Sequence, residues 1–383
     1  MGCLHPGTDA LGRVAGAALA VATLLTGCGQ SSEAIERTET IQATVDAGLA
    51  EPVGGIVALV RFPDGQTVIA SQGYAEAGRP IVGTDSFRIA SITKTYLAAL
   101  VLTLEADGLL SVDDPVASHL PDLGIDERIT ISHLLTHSSG LADHWAASQI
   151  ASENCAPCSF TPEELVALID VAHPTFGPGS HWAYSNTGYV ILGMIVEAVT
   201  GNDLAGELRG RVLDPAGTPQ SSLIGREATL VEPVRGHWRI DGTDPVEYPW
   251  SYGNLMTRAD AAGSLVANAP EVLQFLDALF DGRIIARERL DEMLTTVPRT
   301  PDGGDQPVRF GFGMHHPMEG DWWMHGGGIP GFRSVYLRDQ RTATTVVVLT
   351  NCSGCLDASG AELDVIQVGT HLMEYALGRP DGT

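Results

Sequence analysis

Ser91 and Lys94 are the residues of this 383-residue chain whose types and spacing point most directly to chemistry. Lys94 is the only lysine in the sequence, and it lies in an apolar run three residues after the serine. A lysine amine can lose its proton when it is desolvated, whereas a guanidinium effectively never does. A serine hydroxyl is a weak nucleophile and needs an adjacent base. The pair therefore predicts a nucleophile at Ser91 that is activated by Lys94.

The segment after Ser91 predicts a buried helix, because apolar residues recur on one helical stripe at Leu97, Leu100, Val101 and Leu104. A spacing of three places Lys94 on the same helix face as Ser91, one turn later. The N-terminus of such a helix also offers N–H groups and a positive dipole to an oxyanion. Alone, Ser-x-x-Lys is common by chance, and its alternative interpretation is a capping serine with a surface lysine.

Tyr184 and Asn186 form the second candidate group. Glycine and proline at 177–179 predict a loop before them, and a helical apolar pattern resumes over 188–199. A Tyr-x-Asn in that setting presents a phenol and an amide on the same side of a turn. Beside a lysine the phenol can shuttle a proton, and the amide can bind a substrate carbonyl. Taken alone, the segment is more typical of a core tyrosine and an N-capping asparagine.

His325 and the glycines that follow it form the third candidate group. Gly326, Gly328 and Gly331 satisfy G-x-G-x-x-G, but a dinucleotide site needs a helix to follow, and here a strand pattern follows. Glycines at a strand edge let a substrate backbone approach closely and expose N–H donors, so we assign Gly327 to substrate binding. His325 could donate to a substrate carboxylate or relay protons, and the alternative is a packed edge histidine.

The elements that must position these groups follow from the hydrophobic patterns, which are strand-like at both chain ends and mostly helical over 91–294. The elements predicted at the ends are strands over 54–62, 66–73, 332–337 and 342–350, a turn at 63–65, and helices over 35–49 and 361–377. We therefore predict an α/β plus all-α fold. An antiparallel sheet formed from both chain ends is flanked by helices, and an inserted, mainly helical domain leaves the active site between the two parts.

Taken together, Ser-x-x-Lys, Tyr-x-Asn and His-x-Gly resemble the three motifs of the penicillin-recognising serine enzymes. Their order and separations narrow the resemblance to the branch that contains class C β-lactamases, D-alanyl-D-alanine carboxypeptidases and related esterases. The likeness covers roughly residues 54–351, and further segments that resemble the family are 109–116, 131–141, 262–265 and 310–314. The domains that we assign are a lipoprotein-type signal at 1–28, a tether at 29–36 and a serine β-lactamase-like domain at 37–380, with its α/β part at 37–85 and 305–380 and its helical part at 86–304.

The resemblance implies a role for each candidate residue. Ser91 would be the acylated nucleophile, Lys94 its base partner and Tyr184 the second general acid/base. Asn186 would contact the substrate amide, and the backbone N–H groups of Ser91 and Gly328 would form the oxyanion hole. No cofactor is implied. The implied fold is an α/β sandwich with an all-α domain and a cleft between them, in agreement with the fold predicted from the patterns.

The third motif departs from the family pattern. Class C β-lactamases usually carry Lys-Thr-Gly, whereas His325, Gly326 and Gly327 supply neither the cation nor the hydroxyl. This difference counts against efficient β-lactam hydrolysis. We favour a D-alanyl-D-alanine carboxypeptidase-like peptidase, with a broad-specificity esterase, amidase or β-lactamase as the alternative. A third hypothesis, from another class, is a sensor module that β-lactams acylate without turnover.

The charge and the N-terminus bear on partners and location. A formal net charge of −25 would repel phosphate backbones, so we expect a small-molecule or peptide substrate and no nucleic acid.

A short apolar run over 14–25 ends at Cys28 in a segment that resembles a bacterial lipobox. Acylated Cys28 would then anchor an exported protein in the cell envelope, with no other membrane contact. The alternative is an ordinary cleaved signal, and the sequence does not predict an oligomeric state.

Two further groups of residues raise the question of a metal site. Two C-x-x-C pairs contain Cys155, Cys158, Cys352 and Cys355. In an exported chain disulfides are favoured over a four-cysteine zinc site, and they could be local or could join the two pairs. His133 and His137 stand four apart, but Leu134 occupies the position where a zincin carries glutamate. We therefore predict no metal, and interpret this segment as a structural helix with a histidine behind the site.

Overall fold

A computed structural model describes residues 31–51, 53–153, 159–239, 243–248, 252–318 and 320–379. Its helices are α1 (Ser32–Gly48), α2 (Thr93–Ala106), α3 (Val116–His119), α4 (Ile131–Leu135), α5 (Trp145–Glu153), α6 (Pro162–Val166), α7 (Asn186–Thr200), α8 (Leu204–Leu208), α9 (Asp214–Ala216), α10 (Tyr252–Ala259), α11 (Ala269–Phe280), α12 (Arg287–Met293) and α13 (Val365–Ala376). Its strands are β1 (Gly55–Arg61), β2 (Thr67–Glu76), β3 (Arg79–Pro80), β4 (Phe87–Arg88), β5 (Ser222–Leu223), β6 (His237–Trp238), β7 (Val246–Glu247), β8 (Leu265–Ala267), β9 (Trp322–Ile329), β10 (Phe332–Asp339), β11 (Thr345–Thr350) and β12 (Cys352–Ser353).

The main sheet joins the two ends of the chain. Its six strands run in the order β3-β2-β1-β11-β10-β9, and its neighbouring strands are antiparallel. The N-terminal strand β1 pairs directly with β11, with Ile56 opposite Thr350. The predicted mixed fold, with an antiparallel sheet from both ends and a mainly helical insertion, is therefore confirmed. The small sheet β12-β6-β7 ties the insertion to this frame, because β12 follows β11 and pairs with β6 of the insertion, whereas the sheet β4-β8-β5 lies within the insertion.

Both faces of the sheet are covered, because alternate side chains of β1 enter two separate cores. Ile56, Ala58 and Val60 pack in one core with residues of α1 and α13. Val57 and Leu59 pack in the other core, which also contains the apolar residues of α2 and α11. The second core continues into the helical region, so the helix that follows Ser91 is fixed against the sheet.

Strand β9 was not predicted from the sequence. The hairpin predicted over 332–350 corresponds to β10 and β11, and β9 adds a third strand at the edge of the sheet. Gly326, Gly327 and Gly328 lie within it. Glycine has a low strand propensity, so a local pattern cannot show that pairing with β10 holds this segment extended.

The helix α1 begins earlier than the sequence indicated. Residues 32–36, which we assigned to a tether, form the first part of the helix. The Ser31 hydroxyl accepts a hydrogen bond from the N–H of Ala34, which caps the helix. Within the segment that we assigned to a tether, residues 32–36 are therefore helical.

The remaining N-terminal and cysteine predictions are tested only in part. Cys352 and Cys355 form a local disulfide, so neither is available for a bridge to the other C-x-x-C pair. Cys155 and Cys158, like the signal segment with Cys28, lie outside the described residues. Among the described helices, none combines the length and the apolar character that crossing a membrane requires.

Candidate active site

Ser91 lies in a 3₁₀ turn, Ala90–Ile92, that leads directly into α2. Strand β9 packs closely against this turn. A Cβ atom at Gly327 would collide with the carbonyl oxygen of Ile89 and with the hydroxyl of Ser334, so only glycine permits this approach. Gly327 therefore lets the edge strand lie beside the turn that carries Ser91.

Lys94 lies one turn into α2 and is fully buried. Its Nζ atom is 3.0 Å from Ser91 Oγ, as the helical spacing predicted. It also donates to Asn186 Oδ1 at 2.8 Å and to the backbone oxygen of Ala262 at 2.7 Å. The ammonium group is thus held by three acceptors from three different parts of the chain.

Burial lowers the pKa of Lys94 to about 7, because the charged amine loses its hydration, and the negative charge of Asp143 opposes this shift only in part. A substantial fraction of Lys94 is therefore a neutral amine near neutral pH. A neutral amine carries a lone pair, so the bond to Ser91 can reverse, with the hydroxyl donating to Nζ. This is the arrangement that a general base requires.

Tyr184 lies in the segment before α7, in contact with both members of this pair. Its ring centroid is 4.9 Å from Lys94 Nζ. Burial raises the pKa of Tyr184 well above its usual value, and a hydrogen bond with Ser91 partly offsets this rise. Tyr184 is therefore a neutral phenol that can pass a proton on, and the phenolate form is disfavoured.

Asn186 is brought to the site as predicted, but its side chain is already occupied. Its Oδ1 accepts from Lys94, and its Nδ2 donates to the carboxylate of Asp143 at 3.0 and 3.2 Å. Asn186 thus orients the lysine and connects it to Asp143. Because both ends of its amide have partners, the structure supports this positioning role more directly than the predicted contact with a substrate amide.

Asp143 is a member of the site that the sequence analysis missed. Its carboxylate also accepts from the backbone N–H groups of Asn186 and Trp145, and its side chain is 32% exposed. No local spacing connects it to Ser91 or Lys94. The contact arises only when the loop before α5 packs against the start of α7.

His325 lies on β9 and is 5% exposed. Burial lowers its pKa to about 3, the positive charge of Lys94 adds to this, and the bond to the Gly326 carbonyl opposes it. Since that carbonyl can only accept, Nδ1 carries the proton of the neutral ring, at 2.6 Å. Its Nε2 has no hydrogen-bond partner among the described residues. His325 therefore presents an acceptor, and it does not replace the cation of Lys-Thr-Gly.

The histidines that could suggest a metal pair bind different backbone groups. His133 Nδ1 accepts from the N–H of Thr130 at the start of α4. His137 Nδ1 accepts from the N–H of Ser185, beside Tyr184. Of these two histidines, only His137 contacts a predicted site residue, because its ring packs against the ring of Tyr184.

Two cavities meet at Ser91. One of about 840 Å³ is lined by Ser91, Tyr184, His325 and the β9 glycines. The other, of about 190 Å³, is also lined by Ser91 and Tyr184, together with Asp143. Gly328 lines both. The oxyanion hole assigned to the N–H groups of Ser91 and Gly328 stays a prediction, but both residues lie where the cavities join.

The pKa of Lys94 leads to a testable pH dependence. Below about pH 7 the amine is protonated and cannot accept the Ser91 proton, so the rate of acylation should fall about tenfold per pH unit. Above that value it should reach a plateau. The measurement is the second-order rate constant for labelling by a fluorophosphonate, with circular dichroism at each pH as the control for folding. A profile that is flat from about pH 5 to about pH 9 would contradict the assignment of Lys94 as the base.

The chain matches a known family over most of its length. The family model described as Beta-lactamase matches residues 41–367. The solved structure of D-amino acid amidase from Ochrobactrum anthropi SV3, complexed with L-phenylalanine amide, has a TM-score of 0.77 to this chain at 29% sequence identity. That match covers 90% of this chain and 99% of the amidase chain.

Curated relatives agree with this match but are longer. Penicillin-binding protein 4* from Bacillus subtilis (strain 168) is 27% identical over 300 residues, which are 73% of this chain and 64% of that protein. A D-aminopeptidase from Brucella anthropi is 29% identical over 335 residues, which are 85% of this chain and 59% of that protein. The chain thus spans less than two thirds of the length of these two relatives.

Proposed function

Because the chain belongs to the β-lactamase family of serine hydrolases, we propose that it hydrolyses amides of D-amino acids through an acyl-enzyme on Ser91. The observation that carries this proposal is the contact of Ser91 Oγ with a buried lysine whose pKa is lowered to about 7. The D configuration is taken from the names of the relatives.

Acylation begins with neutral Lys94. Its Nζ takes the proton of the Ser91 hydroxyl while Oγ bonds to the substrate carbonyl carbon. The carbonyl oxygen becomes an oxyanion, and the N–H groups of Ser91 and Gly328 stabilise it. The tetrahedral intermediate then breaks its carbon–nitrogen bond.

Tyr184 completes the step as a relay. Its phenol donates a proton to the leaving nitrogen and regains one from the Lys94 ammonium, so that the free amine leaves and Lys94 is neutral again. In deacylation a water molecule takes the place of the amine. The same groups remove its proton and return a proton to Ser91 Oγ.

Asp143 supports a substrate with a free amino group. Its carboxylate borders the 190 Å³ cavity beside Ser91, and the Asn186 amide holds it in place. An ammonium group next to the reacting carbonyl would form a charge-assisted hydrogen bond there. An aminopeptidase substrate or an amino-acid amide carries such a group next to the scissile carbonyl, whereas in a carboxypeptidase substrate the nitrogen at that position is acylated and uncharged.

A carboxypeptidase, which the sequence favoured, is the second candidate. Neutral His325 is a poor partner for a substrate carboxylate, and this counts against a carboxypeptidase. Arg333 is the observation in its favour. It lines the 840 Å³ cavity, and its Nη1 is held by the carbonyl oxygens of Ile329 and Phe332, so a cation is available near the cleft.

The proposed setting is the cell envelope. It is supported by the segment that ends in Cys28 and by the similarity to a penicillin-binding protein. Export and lipid anchoring at Cys28 remain part of the proposal.

The experiment compares four substrates: D-alanine p-nitroanilide, its L-enantiomer, its N-acetylated form, and an N-acetylated peptide that ends in D-alanyl-D-alanine. We expect kcat/KM to be highest for D-alanine p-nitroanilide, and about tenfold or more above the N-acetylated form, since a hydrogen bond to a charged group contributes about 1.5–3 kcal/mol. Asp143→Asn should reduce that ratio to about one. The ratio is independent of any general loss of activity, because both substrates share the same chemistry.

Other outcomes would decide against the proposal. Faster hydrolysis of the acetylated D-alanyl-D-alanine peptide would identify a carboxypeptidase. A ratio that Asp143→Asn does not change would remove Asp143 from amine recognition. Release of no more than one product per enzyme molecule would indicate the sensor hypothesis.

A further inference from the structure

Tyr184 must be held accurately, yet no regular element contains it. Trp182 forms an isolated bridge with Pro301, and α7 begins only at Asn186. The tyrosine therefore lies in an irregular connection of the described chain, where the backbone is not fixed by a strand or helix ladder. Some other contact has to set the position of the phenol next to Ser91.

His137 supplies contacts on both sides of Tyr184. Its backbone oxygen accepts from the N–H of Ala183 at 2.9 Å, and its Nδ1 accepts from the N–H of Ser185 at 3.2 Å. Its ring also packs over the tyrosine ring, with centroids 4.3 Å apart and planes 33° apart. One residue thus holds the backbone before and after Tyr184 and contacts its side chain.

The backbone of His137 is itself unusual. It adopts a left-handed conformation with φ of 56°, which is uncommon for a residue other than glycine. Its side chain is 1% exposed, and it is not among the residues that line the two cavities at Ser91. A conformation that costs free energy persists where the surrounding contacts require it. The contacts around Tyr184 are of that kind.

The contact with Ser185 also requires one form of the imidazole. Nδ1 must be unprotonated to accept, so the ring is neutral with its proton on Nε2. Burial lowers the pKa of His137 well below its usual value, with the charge of Lys94 the next contribution. A second proton would turn Nδ1 into a donor facing another donor, and the contact would be lost.

We propose that His137 is a positioning residue that holds the Tyr184 phenol within reach of Ser91. It acts through Tyr184 and touches neither the substrate nor the reacting atoms. This inference rests on the proposed function, since it takes Tyr184 to pass a proton from Lys94 to the leaving nitrogen beside Ser91.

The test compares two substitutions that both tolerate a left-handed backbone. In His137→Asn, Oδ1 takes the place of Nδ1 as the acceptor, whereas His137→Gly removes it. The readout is kcat/KM for the amide that the unchanged protein hydrolyses fastest, because its leaving nitrogen needs the proton of Tyr184. The rate of Ser91 labelling by a fluorophosphonate, which releases fluoride and needs no such proton, is the control for folding. We expect the glycine variant to lose about 30-fold, because small misplacement of a catalytic group can cost up to about a hundredfold. The asparagine variant should stay within about threefold of the unchanged protein.

A double-mutant cycle with Tyr184→Phe separates positioning from a general effect on folding. In that background His137→Gly should change kcat/KM by less than about twofold, since the phenol that it positions is absent. A full loss in both backgrounds, or equal rates for the asparagine and glycine variants, would overturn the proposal. A kcat/KM that Tyr184→Phe itself leaves unchanged would instead count against the proposed role of Tyr184.

A measurement on the unchanged protein covers the case in which the glycine variant does not fold. Nitrogen-15 NMR of the full chain should show His137 with an unprotonated Nδ1 and a proton on Nε2. The signal is identified by its absence in His137→Asn. A proton found on Nδ1 would exclude the bond from Ser185 and with it the proposal.

Discussion

Replacing Ser91 with alanine should lower hydrolysis by about 10⁴-fold or more and abolish labelling by a fluorophosphonate. The substitution removes the only atom through which the acyl group is proposed to bind. It leaves the cavities, Lys94 and Tyr184 in place, so the loss should appear in kcat with the fold unchanged. Intact-protein mass spectrometry after labelling, followed by peptide mapping, measures the result directly.

The matched control is Ser118→Ala. Ser118 is an exposed serine outside the cleft, where its hydroxyl donates to the carbonyl of Pro115. This variant should be labelled at the rate of the unchanged protein. If Ser91→Ala still takes up one equivalent of label, or if mapping places the label elsewhere, Ser91 is not the nucleophile.

Replacing Lys94 with arginine should lower the rate of Ser91 acylation by about 10³-fold, which is within the range that general base catalysis contributes. Arginine keeps the positive charge but has no neutral form at working pH, so it cannot take the serine proton. The guanidinium must also fit among three fixed acceptors, one each from Ser91, Asn186 and Ala262. Labelling rates and kcat/KM measure the effect.

Lys94→Ala provides the complementary control for this prediction. It creates a space in which a small primary amine can bind, so ethylamine in the buffer should restore part of the activity in proportion to its neutral fraction. Tetramethylammonium, which has the charge without a proton to exchange, should not. Activity of Lys94→Arg near that of the unchanged protein would show that another group removes the proton.

Local sequence was sufficient for much of the fold. Strand-like apolar segments predicted β1 and β2, the glycine-containing turn predicted their hairpin, and a helical stripe predicted the helix that carries Lys94. These features depend on residues within a few positions of each other, which a periodic pattern records. Strand β9 was not predicted, because its glycines do not favour a strand and only its pairing with β10 holds it extended.

The candidate site, like the fold, could be predicted from the sequence only in part. The sequence by itself determined that Ser91 and Lys94 would meet, because a spacing of three along a helix brings side chains together. Through a family resemblance it also identified Tyr184, Asn186 and His325. These predictions needed only residue types, order and spacing.

Only the tertiary structure decided how these groups can act. The lowered pKa of Lys94 follows from burial by segments more than 90 residues away, which hold Asn186 and Ala262. The place of Asp143 and the contacts of His137 around Tyr184 likewise depend on packing between distant loops. Desolvation and hydrogen bonding are set by everything that surrounds a group, so a local pattern cannot report them.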